Sequence, residues 1–161
     1  MALRERLFGI GRNPLSSSRE DLPGPLTSEN ERSAEEISSM NRVLIIEDDE
    51  SLRHAIQRTL VAVGYEVQEA ADGKAGLNAY RRQPSDVVIT DIVMPDTEGL
   101  ETIRELCRHD AAVKIIAMSG GGVGGSTSYL MLARQLGARS VLTKPFSADE
   151  LRNAVAGVLA S

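Results

Sequence analysis

Carboxylates, a hydroxyl and an ammonium stand at the ends of four short apolar runs, and together they are the parts of a phosphoryl-transfer site. Val43-Leu44-Ile45-Ile46 stops at Glu47-Asp48-Asp49, and Val87-Val88-Ile89-Thr90 stops at Asp91. Lys114-Ile115-Ile116-Ala117-Met118 stops at Ser119, and Val141-Leu142-Thr143 stops at Lys144-Pro145. An aspartate carboxylate can attack phosphorus and carry the group as an aspartyl-phosphate. That chemistry is mostly positioning plus neutralisation of the phosphoryl oxygens. Lys144 offers a compact charge for one such oxygen, and the Ser119 hydroxyl can donate to another. Adjacent acids at Glu47 and Asp48 meeting Asp91 would repel one another. A hard divalent cation relieves this, and Mg2+ is typically held by one or two carboxylates with waters and phosphate oxygens.

Each residue also has a plainer reading. An acidic triplet after a strand serves as a helix N-cap, favourably placed on the helix dipole, and Asp49 or Glu50 suits that role. Lys144 alone would be a solvated lysine, Ser119 a turn residue and Asp91 a cap. All four at the ends of separate runs, in this order, favour the site.

The elements that must position these residues follow from the patterning. Strands are expected at 43–47, 65–69, 86–90, 113–118 and 140–143, with helices near 50–63, 73–82, 98–108, 127–136 and 147–159. Leu52, Ile56, Leu60 and Val63 share one helix face, and Ala75, Leu77 and Tyr80 are the apolar residues of the next helix. Gly64 and Gly137 are C-terminal stops, and Ser147 with Glu150 forms a capping box. The Met94-Pro95-Asp96 turn stiffens the chain after Asp91. Five strand–helix units predict an α/β fold, a doubly wound parallel sheet with helices on both faces. Ligands in such sheets bind outside the carboxyl ends of the strands.

Composition bounds the function. One domain is expected for 161 residues, with 42% apolar and 25% charged residues as in an ordinary globular chain. A net charge of -5 and a pI near 5.1 argue against broad nucleic-acid binding, which needs a basic face. Cys107 stands alone, which excludes an internal disulfide and fits a reducing compartment; its helical setting reads as core. No apolar run approaches the roughly 20 residues of a membrane span, and no export signal is evident, so a cytoplasmic location is expected. Residues 12–41, with Pro14, Pro23, Pro25 and Ser16-Ser17-Ser18, bury too little apolar surface to offset ordering entropy and read as disordered. In Met1–Ile10 the spacing of Leu3, Leu7 and Ile10 suggests a short amphipathic docking or membrane-surface helix. A frayed tail or an upstream start codon is the favoured alternative, because so short a helix is marginal in water. The expected division is a disordered extension at 1–41 and one domain at 42–161.

Residues 42–160 resemble the receiver domain of two-component response regulators, through Glu47-Asp48, Asp91-Ile92-Val93-Met94-Pro95, Ser119-Gly120 and Lys144-Pro145-Phe146. The resemblance implies a flavodoxin-like sheet of order 2-1-3-4-5. It further implies that Asp91 accepts a phosphoryl group from a histidine kinase or histidine phosphotransfer protein. Asp48, Asp91 and the Val93 backbone carbonyl would hold Mg2+, with Glu47 acting through water. Ser119 and Lys144 would bind and sense the phosphoryl oxygens, and Lys144-Pro145 would be a cis peptide. Such a protein is not an enzyme beyond its own phosphoryl transfer and dephosphorylation.

Two features depart from the family. Val141 stands where an aromatic often changes rotamer, and Gly120-Gly121-Gly122-Val123-Gly124-Gly125 is longer than usual. That stretch lacks the closing Gly-Lys-Ser/Thr of a Walker loop and reads as a surface loop ahead of a phosphate cradle. Its ordering around the phosphoryl group, with the start of the next helix, is the expected switch. The expected output surface is the 127–136 helix, the last strand and the 147–159 helix. His54 and His109 read as surface histidines. With nothing after Ser161 to form an output domain, a stand-alone regulator that signals to a downstream protein target is expected. A Mg2+-dependent phosphohydrolase of the haloacid-dehalogenase kind is the rival, but those enzymes place nucleophile and second aspartate two residues apart after their first strand, and position 93 is Val. An unphosphorylated receiver-like scaffold is a third reading, opposed by the complete residue set.

Overall fold

A computed structural model describes residues 40–94, 99–120 and 126–161. The expected N-terminal extension, the Pro95-Asp96 part of the turn and the Gly121–Gly125 part of the loop lie outside the described residues. The elements alternate as β1 (Arg42–Ile46), α1 (Glu50–Val61), β2 (Glu66–Ala70), α2 (Gly73–Arg82), β3 (Val87–Asp91), α3 (Gly99–His109), β4 (Ile115–Gly120), α4 (Ser126–Leu136), β5 (Ser140–Lys144) and α5 (Ala148–Leu159). All strand pairs are parallel, in the order β2-β1-β3-β4-β5. Among the described residues no helix is long and apolar enough to cross a membrane.

The two-residue period of a strand sorts side chains onto opposite faces of the sheet. Val43 and Ile45 of β1, Val87 and Ile89 of β3, and Ile116 and Met118 of β4 pack with Ile56 and Leu60 of α1 and Leu151, Val155 and Val158 of α5. Leu44, Ile46, Val88, Ile115 and Ala117 face the other way, onto Tyr80 of α2, Ile103 and Leu106 of α3 and Ala133 of α4. Strands buried on both faces read as unbroken apolar runs, which is why β1, β3 and β4 stand out in the sequence.

Local signals act where they were read. Asp49 is the N-cap of α1, its side chain accepting from the Leu52 amide at 3.0 Å. Ser147 and Glu150 form a reciprocal capping box on α5. Gly64 and Gly137 take φ of +92° and +121°, left-handed values suited to leaving a helix. Val63 departs from its expected place. α1 ends at Val61, and the Val63 and Gly64 amides turn back onto Leu60 and Val61 carbonyls at 3.1 and 3.0 Å. Val63 is therefore beyond the last helical turn and is 48% exposed.

The strand ends are also displaced from the pattern. Asp91, Ser119 and Lys144 lie within β3, β4 and β5 rather than just past them. The polar residue ends an apolar run but not its ladder, because backbone pairing is indifferent to the side chain. The Ile92 amide still donates to Met118 at 2.8 Å. Three of the candidate site residues thus hang on hydrogen-bonded backbone.

Candidate functional site

The sheet register brings the four strand ends together. Asp91 pairs with Met118, one residue before Ser119. Gly120 pairs with Lys144, and Ser119 with Thr143. Just past β1, the Glu47 amide is bonded to Ala70 at the end of β2 at 3.1 Å. Glu47 and Asp91 are buried, at 1% and 6% exposure, whereas Asp48 is exposed. One carboxylate oxygen from each of Glu47, Asp48 and Asp91 lies within 4.8 Å of the others.

Lys144 bridges the two buried acids. Its Nζ donates to Glu47 Oε2 at 2.7 Å and to Asp91 Oδ2 at 2.8 Å. The other Asp91 oxygen, Oδ1, accepts from the Val93 amide at 3.2 Å. Glu47 Oε1 accepts from the Asp49 amide at 3.2 Å. Burial raises the Glu47 carboxyl above its ordinary value and the charge of Asp91 adds to the rise, while the hydrogen bond from Lys144 opposes both. Burial alone would lower the Lys144 ammonium, but its hydrogen bonds to Asp91 and Glu47 prevail and raise it. Both groups move up for different reasons: burial dominates at Glu47, whereas at Lys144 two partners of opposite sign outweigh burial.

The donor set suits a hard cation. It is all oxygen, it carries three carboxylates, and the buried pair already requires one positive charge from Lys144. Exposed Asp48 is the open side. One or two carboxylates with waters and phosphate oxygens are the usual ligands of Mg2+. Ser119 is buried at 2% exposure, with its Oγ only 3.4 Å from the Gly120 carbonyl, a weak contact that leaves the hydroxyl available. Val93 is 61% exposed, and the Lys144-Pro145 peptide is cis.

Two expected bystanders stay outside the site. His54 Nε2 lies 3.7 Å from Glu69, and the His109 ring meets Tyr80 edge-on. Cys107 is half-buried against the α2–α4 side of the core, and burial raises its thiol.

Two residues at the site were not picked out from the sequence. A Cβ on Gly99 would lie 1.9 Å from the Asp91 carbonyl oxygen and 2.6 Å from Ile92 Cα, so only glycine lets α3 start this close to the end of β3. Its signal was a glycine eight residues after Asp91 at a predicted helix start. Arg53, at the end of the first turn of α1, donates from Nη1 to the Glu47 carbonyl at 2.8 Å. Its signal was weaker, a cation on the polar side of a helix next to an acidic triplet.

Residues 43–156 match the response regulator receiver domain family, and the chain belongs to it. Among its relatives, the chemotaxis protein CheY of Bacillus subtilis is 34% identical over 116 residues, which is 71% of this chain and 94% of CheY. The probable transcriptional regulator ycf27 of Guillardia theta is 34% identical over 124 residues, 77% of this chain but 47% of that protein. The chain thus spans about half the length of several regulators that it matches. The receiver domain protein of Clostridium thermocellum superposes with a TM-score of 0.70 at 28% identity, over 75% of this chain and 95% of that one. A CheY-like receiver of Methanospirillum hungatei gives 0.71 at 26% identity, over 76% and 95%. Receiver domains are signalling proteins that work with histidine kinases and downstream targets.

Proposed function

We propose that Asp91 is the phosphoacceptor of this receiver, taking a phosphoryl group from a histidine kinase or histidine phosphotransfer protein. The observation that carries this is the convergence of buried Asp91, buried Glu47, exposed Asp48 and Lys144 at one end of the sheet. A carboxylate oxygen of Asp91 attacks phosphorus as the donor N–P bond breaks, and the leaving imidazole nitrogen keeps the electron pair. Lys144 stays beside the developing acyl phosphate, where its ammonium offsets phosphoryl charge. Ser119 donates its hydroxyl to a second phosphoryl oxygen. Glu47 (through water), Asp48, Asp91 and the Val93 carbonyl would hold Mg2+, which when bound would neutralise charge on the carboxylates and phosphoryl oxygens.

Signal output is through protein contacts of the domain's own surface. The match across 94% of CheY supports this reading, as does the exposed apolar character of α4 at Tyr129, Met131 and Leu132. With Mg2+ and a small phosphodonor or beryllofluoride, the wild type is modified at Asp91, Asp91→Asn takes up nothing, and Asp48→Asn loses most Mg2+ affinity. Normal phosphorylation of Asp91→Asn ends this assignment. Multiple turnover of a small phosphate ester would instead indicate the phosphohydrolase.

A further inference from the structure

The β1–α1 loop carries two of the three site carboxylates, and one side chain outside that set is tied to its backbone. Arg53 Nη1 donates to the Glu47 carbonyl at 2.8 Å and approaches the Asp48 carbonyl at 3.5 Å. Its Nε lies 3.5 Å from Glu69 Oε1, at the end of β2, and the Arg53 side chain is only 13% exposed. The Arg53 amide closes the first turn of α1 onto the Asp49 carbonyl at 2.8 Å. One residue thus joins the loop to the helix that follows and to the neighbouring strand. The guanidinium is planar and presents its donors in a fixed fork, so it can span these sites with little freedom left.

Asp48 makes this tether matter. Its carboxylate is exposed, whereas Glu47 and Asp91 are held by Lys144. We propose that Arg53 is a positioning residue for the divalent-cation site. It fixes the peptide carbonyls of Glu47 and Asp48, and so sets where the Asp48 carboxylate points, while Glu69 aims the guanidinium. This rests on the metal site proposed above. The two roles open to a cation here have opposite signs. If Arg53 acted only through its charge, deleting it would tighten Mg2+ binding, because one repelling charge is gone. If it positions the loop, deleting it weakens Mg2+ binding despite that gain.

The test is a Mg2+ titration without phosphodonor, read from backbone amide shifts of Glu47, Asp48, Asp49 and Asp91. Residues that orient metal ligands typically contribute about 10- to 100-fold in affinity. Arg53→Ala should therefore raise the half-saturating Mg2+ concentration about tenfold or more, with the beryllofluoride adduct still forming at saturating Mg2+. Arg53→Lys keeps the charge but cannot hold the Glu47 carbonyl and Glu69 with one ammonium, so it should fall between wild type and Arg53→Ala. Glu69→Gln should weaken binding less, and it carries the test with Arg53→Lys if the alanine variant does not fold. Arg58→Ala, which removes an exposed cation from the same helix, should leave affinity unchanged or slightly tighter. Arg53→Ala binding as tightly as wild type, or more tightly, overturns the inference while leaving the metal site intact. A wild type with no Mg2+-dependent shifts overturns both.

Discussion

Gly99→Ala tests whether the start of α3 sets the position of Asp91, the proposed phosphoacceptor. The Gly99 amide donates to the Ile92 carbonyl at 2.9 Å. An added Cβ would lie 1.9 Å from the Asp91 carbonyl oxygen, 2.6 Å from Ile92 Cα and 2.8 Å from the Asp91 carbonyl carbon. Ordinary contact begins near 3.4 Å, so the backbone must part by about 1.5 Å. No side chain can yield, because all three atoms are backbone. Overpacking of this kind costs about 1–3 kcal/mol, which in a domain of this size lowers Tm by about 3–10 °C. The displaced peptide belongs to Asp91 itself. A misplacement of about 1 Å can cost on the order of a hundredfold in rate, so phosphorylation by a small phosphodonor should slow by about 10- to 100-fold. Gly157→Ala is the control: nothing lies within 4 Å of an added Cβ on the exposed face of α5, and it should gain about 0.5–1 kcal/mol. Urea unfolding and phosphorylation kinetics check both variants. A Gly99→Ala protein with lowered Tm and an undiminished rate would refute the coupling of α3 to Asp91.

Three further outcomes are expected. Lys144→Met leaves buried Glu47 and Asp91 without their shared cation and should cost about 1–3 kcal/mol at neutral pH; added Mg2+ should restore more stability there than in the wild type. Burial and the Asp91 charge would then push the Glu47 carboxyl higher still. A raised carboxyl stabilises the fold below its unfolded value, and that stability is lost as pH rises through the folded value. The variant should therefore weaken more steeply than wild type from the ordinary glutamate range towards neutrality, and parallel urea midpoints across pH would refute this. Tyr80→Phe removes a buried hydroxyl that donates to Asp110 Oδ2 at 2.8 Å and should cost about 1 kcal/mol. The Tyr80 bond, followed by that from the Ala112 amide, holds the Asp110 carboxyl below its ordinary value. Stability from a lowered carboxyl is present above the unfolded value and lost as pH falls through the folded one. The Tyr80→Phe penalty should thus shrink in acid, and an equal penalty at both ends of the pH range would count against it. Removing residues 1–40, expected to be a disordered extension, should leave Tm and phosphorylation kinetics nearly unchanged; a large fall in either would show that the segment supports the domain.

Much of this protein was legible in its sequence because its signals are local. Apolar runs buried on both faces gave β1, β3 and β4, and Asp49, Gly64 and the Ser147–Glu150 box marked helix ends through bonds only a few residues long. The site residues could be named because each ends an apolar run, and parallel strands with crossover helices bring such ends to one edge. Register was a different matter. Which residue stands beside which depends on pairing between segments tens of residues apart, and the pattern alone could not show that Lys144 bridges Glu47 and Asp91. Val63 fits the helical period yet lies in solvent, since the chain turns before it. Gly99 and Arg53 were missed for the same physical reason. A glycine at a helix start and an arginine on a polar helix face are ordinary in sequence. They become particular only when tertiary packing sets one against the Asp91 peptide and the other against the Glu47 carbonyl.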